Sequence, residues 1–405
     1  DKLQFLLPRL QLPDLNVATL LNVPELELSL DSEGKLSGSG GLESDTVNFQ
    51  RPDTWLPALG IDTKWVLVDQ SLSVEGQVLG GGQIPLFSVT TDYQLDKERG
   101  TAQIRSSDVS FDHQSKRLSQ QFSSWPFEWD IFAGQLSLDV DLAWQGDEHG
   151  TDFRADIKHS AQGLAGIYKD VGFVGYNSNI RAEIKSPNHI RTVGTATLSL
   201  ESLDVGVPIE GIHARFNVDT ALQKLTLEGA EAHLFGGRLW IDNATYRADY
   251  PHNPIYVGVE SMDVDQLLQL AGYEAVQGTG VISGLLPLDA NSAGVTMRRG
   301  MLAAKAPGGV FRYHSEISPG TNPAMIQVIE ALKNYRYSIF QVEADYLENG
   351  DLVLEMLLRG SNPELQNGRP IHLNLNVTDN IPSLLKSLQA GREIADSVSR
   401  QLGGG

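Results

Sequence analysis

The chain has 405 residues, with 51 acidic against 31 basic side chains and a net charge of −20. Hydrophobic residues make up 41%, enough to build a core, which excludes a globally disordered chain. So acidic a chain is a poor general binder of nucleic acid or of anionic membrane surfaces, and the complete absence of cysteine removes disulfides, thiolate metal sites and cysteine nucleophiles.

A cysteine-free chain suits an oxidising space such as a bacterial periplasm. No apolar run approaches the roughly 18 residues of a membrane-crossing helix. The chain opens on Asp1 without a signal-peptide core, so it is read as a processed or excised part of something longer.

The dominant pattern, taken along the chain, is strict alternation of apolar and polar residues, the mark of half-buried strands. It begins at Leu26-Leu28-Leu30 and Leu72-Val74, and is longest at Leu136, Leu138, Val140, Leu142 and Trp144. It continues at Ile180-Ala182-Ile184, Ile212-Ala214-Phe216-Val218 and Ile255-Val257-Val259. A short helix is predicted after Asp263, carrying Val264, Leu267, Leu268 and Leu270 and stopped by Gly272. A second begins at Asn322-Pro323, with Met325, Ile326, Ile329 and Leu332 on one face. Strands resume at Phe340-Val342-Ala344, at Leu352, Leu354, Met356 and Leu358, and at Ile371, Leu373, Leu375 and Val377. An amphipathic helix closes the chain with Ile381, Leu384, Leu385, Leu388 and Ile394. Turn signals such as Asp31-Ser32-Glu33-Gly34, Gly236-Gly237 and Glu348-Asn349-Gly350-Asp351 separate the runs.

Roughly 20 strands are predicted, mostly in antiparallel hairpins. One flat sheet of them would be about 95 Å wide, and open sheets of that size curl, close or split. The expected divisions are β-segments over 1–150, 151–262 and 263–378, the last with short helices, and the terminal helix over 379–402.

Catalytic signatures are missing. There is no G-x-S-x-G, H-E-x-x-H or phosphate-loop pattern. Gly80-Gly81-Gly82 lacks a following Lys and reads as a turn, and Gly278-Thr279-Gly280 has no βαβ context. No two of the nine histidines sit at i+2 or i+4. Asp139 and Asp141 have the residue type of a glycosidase acid pair, but opposite an apolar strand face they read as a solvated polar face. No catalytic residue, metal or cofactor is therefore expected.

One stretch carries a family likeness. It runs from Leu225-Thr226-Leu227-Glu228-Gly229 and Leu234-Phe235-Gly236-Gly237-Arg238-Leu239, through the helix at Asp263, to Gly278-Thr279-Gly280-Val281-Ile282-Ser283-Gly284-Leu285-Leu286-Pro287-Leu288. Arg299-Gly300-Met301-Leu302, Pro307-Gly308-Gly309 and Tyr313 follow, with Asn362-Pro363-Glu364-Leu365 and Asn380-Ile381-Pro382 further on. This order resembles the AsmA-like group of bacterial envelope proteins, and within it the C-terminal half of one member. The resemblance implies a mainly β chain whose long twisted antiparallel sheet curls into a U-shaped hydrophobic groove (a β-taco), with few short helices. It implies a periplasmic protein held by an N-terminal inner-membrane anchor, moving phospholipids to the outer membrane. It also implies a small outer-membrane lipoprotein and a small periplasmic protein as partners.

On that reading the groove candidates are Leu136, Leu138, Val140, Leu142, Phe340, Val342, Leu352, Leu354, Met356, Ile371, Leu373 and Leu375. The strand Ile371, Leu373, Leu375, Val377 is the candidate edge for the lipoprotein, because it comes near the chain's end without an internal Pro or Lys. The terminal helix is either a structural cap or a gate at the outer membrane. The competing function is a β-rich scaffold for outer-membrane biogenesis that carries no lipid. A carbohydrate-active enzyme lacks a convergent acid pair, and an outer-membrane barrel would want aromatic residues gathered at strand ends, which the linear sequence does not display.

Overall fold

In the computed structural model the described residues are 17–18, 22–23, 25–49, 59–80, 84–106, 109–112, 117–122, 125, 127–147, 150–186, 189–270, 275–314 and 323–388. They are overwhelmingly strand: 25 strands, all paired antiparallel where partners are recorded, against the roughly 20 expected. The surplus is in pieces too short to show alternation, such as Val17–Ala18, Val109–Phe111 and Val276–Gly278.

Two compact units share the chain. The first takes residues 1–201 and 217–221, and the second 202–216 and 222–405. The first unit is a meander. Leu36–Phe49, Leu59–Val68, Ser71–Leu79, Pro85–Gln94 and Arg99–Ser106 pair in succession. Arg99–Ser106 then pairs with Trp129–Asp147, the first of three long strands continued by Gly150–Tyr168 and Val171–Ser186. Both ladders of Gly150–Tyr168 slip between residues 161 and 166, where Gly134 and Gly163 take φ of +102° and +59°. A bulge of this kind bends a strand, and glycine reaches positive φ without strain. The bent ends reach a small core of Phe111, Leu118, Ile131, Ala161 and Leu164, which Leu136, Trp125 and Phe173 also touch. A 3-10 turn at Leu118–Gln121 supplies Leu118 to it.

In the second unit the paired order runs from Lys224–Leu234 through Gly237–Ile241, Asn253–Asp263, Val281–Asn291, Gly294–Ala304, Tyr335–Tyr346 and Asp351–Ser361 to Pro370–Asn380. The helix after Asp263 spans Val264–Leu270, and Asp263 caps it by accepting from the Gln266 amide at 3.0 Å. Asp265 ties the helix to the neighbouring strand by accepting from the Gly278 amide at 2.9 Å. Gly272 lies outside the described residues. The second helix spans Pro323–Leu332. Leu332 packs on the core, whereas Ile326, about 120° around the helix from Leu332, is exposed. The terminal helix occupies 381–388, with Ile381, Leu384, Leu385 and Leu388 half-buried and Lys386 exposed. Asn380 caps it through the Ser383 amide at 3.1 Å. Ile394 lies outside the described residues.

The main core belongs to this unit: Val259, Ile282, Phe311, Tyr335, Tyr337, Phe340, Val342, Leu358 and Leu373 are buried, and Val264, Leu267 and Leu268 of the first helix close over them. Burial pushes the Tyr335 and Tyr337 phenols up to about 12, so both remain neutral donors. Tyr335 donates to the Ile371 carbonyl at 2.8 Å, and Tyr337 to the Thr279 carbonyl at 2.5 Å. The hydroxyls thereby satisfy backbone acceptors at the edge of an apolar cluster.

Candidate apolar path

Residues directly opposite in an antiparallel pair share a face, so the registers sort side chains without further assumption. In the first unit one row runs Gly40, Trp65, Val74, Thr91, Ala102, Leu142, Ala155 and Ile184. The next row on that face runs Thr63, Gly76, Val89, Ile104, Val140, Ile157 and Ala182. The interleaved row on the other face reads Lys64, Glu75, Thr90, Gln103, Asp141, Asp156 and Glu183. Seven strands thus separate an apolar face from a charged one. Asp139 and Asp141 stand on the charged face, where Asp141 pairs with Arg105 and Asp139 lies opposite Lys158.

The sequence candidates Leu136, Leu138, Val140 and Leu142 all fall on the apolar face, but they are not equivalent. Leu136 is packed into the small core, while Leu138, Val140 and Leu142 are half-buried and outside it. At the start of the unit the same face is barely covered: Leu26, Leu28 and Leu30 are 42%, 59% and 70% exposed. A polar spot interrupts the face at His159, opposite Leu138, whose ring meets the Ser178 hydroxyl at 3.0 Å. Burial holds the His159 pKa below its ordinary value, so the ring is neutral at pH 7.

The far margin of this face is aromatic. Leu67, Leu72, Tyr93, Gly100, Trp144 and Phe153 form its last continuous row. Tyr93 and Trp144 stack with centroids 6.2 Å apart, across Gly100 between them. A Cβ on Gly100 would overlap the Trp144 indole. Gly100→Val is therefore expected to lose about 1–3 kcal/mol and to disturb the Trp144 fluorescence, where an open position would change neither. This row amends the expectation that aromatics do not gather at strand ends. Tyr93 is far in sequence from Trp144 and Phe153, and it joins them only through pairing.

In the second unit the apolar face carries Leu239, Val259, Gly284, Leu302, Val342, Met356 and Leu375 in one row. Phe340, Leu358 and Leu373 form another row, and Ala344, Leu354 and Val377 a third. Every sequence candidate from this unit lies on the one face, Leu352 and Ile371 included. Phe340, Val342 and Leu373 are buried at 4–8% exposure, whereas Leu352, Leu354, Met356, Ile371, Leu375 and Val377 are half-buried. The opposite face carries Glu343, Glu355 and Asn376, though also the exposed Leu285 and Met301. The strand Pro370–Asn380 has one recorded neighbour among the described residues, Asp351–Ser361.

Among the described residues no three His, Asp or Glu side chains are grouped to hold a metal ion, and no helix is long and apolar enough to cross a membrane. No curated protein and no solved structure matches the chain. A family model described as YdbH-like, intermembrane phospholipid transport protein YdbH, matches residues 7–403, which carries the likeness first seen after Leu225 across nearly the whole chain. With two-faced antiparallel sheets and so complete a match, the chain belongs to the YdbH-like family of intermembrane phospholipid transport proteins.

Proposed function

We propose that the chain is a non-enzymatic periplasmic bridge between inner and outer membrane, anchored in the inner membrane in the full-length protein, whose apolar sheet faces carry phospholipid acyl chains. The observation that supports this most is the half-buried stretch Leu138, Val140, Leu142 on a face lined by apolar residues from seven strands. A dry sandwich core would bury such side chains as fully as Leu358, at 2% exposure. The charged opposite face keeps the sheet in water.

Photo-crosslinking residues placed one at a time at Leu138 and Leu354, and at their sequence neighbours Asp139 and Glu355, test the reading in cells. Phospholipid is expected on the leucine positions and not on the acidic ones. Equal capture on both faces would remove the sided path, and purified protein free of phospholipid by native mass spectrometry would favour a lipid-free scaffold.

The partner reading rests on the edge strand. A small outer-membrane lipoprotein would add a strand beside Ile371, Leu373, Leu375 and Val377 and extend the apolar face. A small periplasmic protein is the second partner of this reading. Leu373→Pro is a poor probe of docking, because Leu373 is a core residue. Asn374→Pro and Leu375→Pro are better, since successive residues point their N–H groups to opposite sides of the strand. One of the two should abolish lipoprotein co-purification while the chain stays folded. Full binding by both folded variants would put the docking site elsewhere.

A further inference from the structure

Beside the aromatic margin of the first unit lies a depression of about 480 Å³. Its walls come from both faces of the sheet: Trp144 and Phe153 belong to the apolar face, and Arg99, Gln145, Asp152 and Arg154 to the polar one. A sheet keeps its faces apart except at strand ends, so one depression lined by both sits where the apolar face meets water. The cations there are available. Arg99 has no ion-pair partner among the described residues, and Arg154 reaches Asp156 and Glu183 only at 3.6 and 3.7 Å. Asp92 and Asp152 line the same depression, so it offers two cations and two anions side by side.

The opposite margin of the apolar face is closed. There Leu136 is packed with Leu118, Ile131 and Leu164. Between the closed margin and the aromatic one, the six-residue step from Leu138 to Trp144 spans about 20 Å at strand rise. One leaflet of a bilayer's hydrocarbon core is about 15 Å thick. An acyl chain laid along the strands therefore fits between the two margins with its polar end at Trp144. Indole and phenol rings suit such a place, because they accept an apolar neighbour on one side and water on the other.

Resting on the lipid-path reading above, we infer that phospholipids ride the first unit in one orientation. Their acyl chains lie over Leu142, Val140 and Leu138, and their headgroups emerge at Trp144 and Phe153 into the depression. The headgroup it fits is zwitterionic, with phosphate at Arg99 and Arg154 and ammonium at Asp92 and Asp152. Guanidinium is the side chain best matched to a phosphate in a partly dry site.

The experiment uses the whole 405-residue chain and phosphatidylethanolamine carrying a diazirine either on the headgroup or at the acyl terminus, with cross-linked peptides mapped by mass spectrometry. The headgroup probe is expected to label 92–101 and 143–154 around the depression. The acyl probe is expected to label the strands around Leu138 and Val140. Replacing both cations, Arg99→Gln with Arg154→Gln, should reduce headgroup labelling about tenfold and leave acyl labelling unchanged. Excess glycerophosphoethanolamine, the headgroup without its chains, should not compete. Competition by it would make the depression a site for a soluble phosphodiester and overturn the orientation. Acyl labelling of the path with headgroup labelling elsewhere overturns this inference and leaves the lipid path standing. Labelling by neither probe overturns both.

Discussion

An aspartate at Val140 or at Leu354 is expected to stop phospholipid movement in a protein that still folds. Both side chains are half-buried on the apolar faces, Val140 outside the packed cores and Leu354 packed against the margin of one, so a charge there keeps a wetted side and does not have to enter a dry interior. A lipid chain sliding past must displace that water or lie against the bare charge. A charge at the centre of an apolar medium costs about 3 kcal/mol, which is about a hundredfold in rate at that step. The measurement is transfer of labelled phospholipid between membranes, paired with circular dichroism to verify folding. Glu355→Gln, on the opposite face of the strand carrying Leu354, should transfer lipid as the unaltered chain does. Normal transfer by folded Val140→Asp and Leu354→Asp would refute a path over these strands.

Leu358→Ala should cost about 3–4 kcal/mol of stability, against about 1 kcal/mol for Leu352→Ala on the same strand. Leu358 is 2% exposed between Phe340 and Leu373, in the core against which Leu267 and Leu268 also pack, where removing its methyl groups leaves a cavity. Leu352 is half-buried, so truncation there mainly trades one wetted surface for another. Urea denaturation separates the two, with a midpoint fall of about 1.5 M expected for Leu358→Ala. Equal losses would mean that the apolar face of the second unit is packed throughout. Leu354→Asp and this alanine pair together divide the apolar face of the second unit into a working part and a structural part.

Several features of the molecule were legible in the residues alone. Alternation at Leu136 to Trp144 and at Ile371 to Val377 predicts long two-faced strands, and Trp129–Asp147 and Pro370–Asn380 are such strands. Asp263 as a helix cap and the helix from Ile381 follow from local hydrogen bonding and spacing. The reading of Asp139 and Asp141 as surface carboxylates agrees with their place beside Arg105 and Lys158. What eluded the sequence was the aromatic margin, because no signal links Tyr93 to Trp144 and Phe153 before the strands are aligned. Leu136 and Leu138 likewise look identical in sequence, and a bulge at Gly134 and Gly163 sends one into a core and leaves its neighbour outside.

By itself, then, the sequence determined which side chains of any one strand share a face. The Cα–Cβ bonds alternate with a period of two, a rule that needs no information from beyond the strand. It also determined the class of protein, through an order of glycines and leucines that the family match extends over residues 7–403. Only the tertiary structure decided which parts of an apolar face are closed and which stay half-open. Phe340, Leu358 and Leu373 belong to a core that Val264 joins from some seventy residues or more earlier in the chain, while Leu138 belongs to neither packed core. Burial depends on what arrives over a face, and here that is set by pairing registers and bulges between distant segments. Local alternation carries no trace of them.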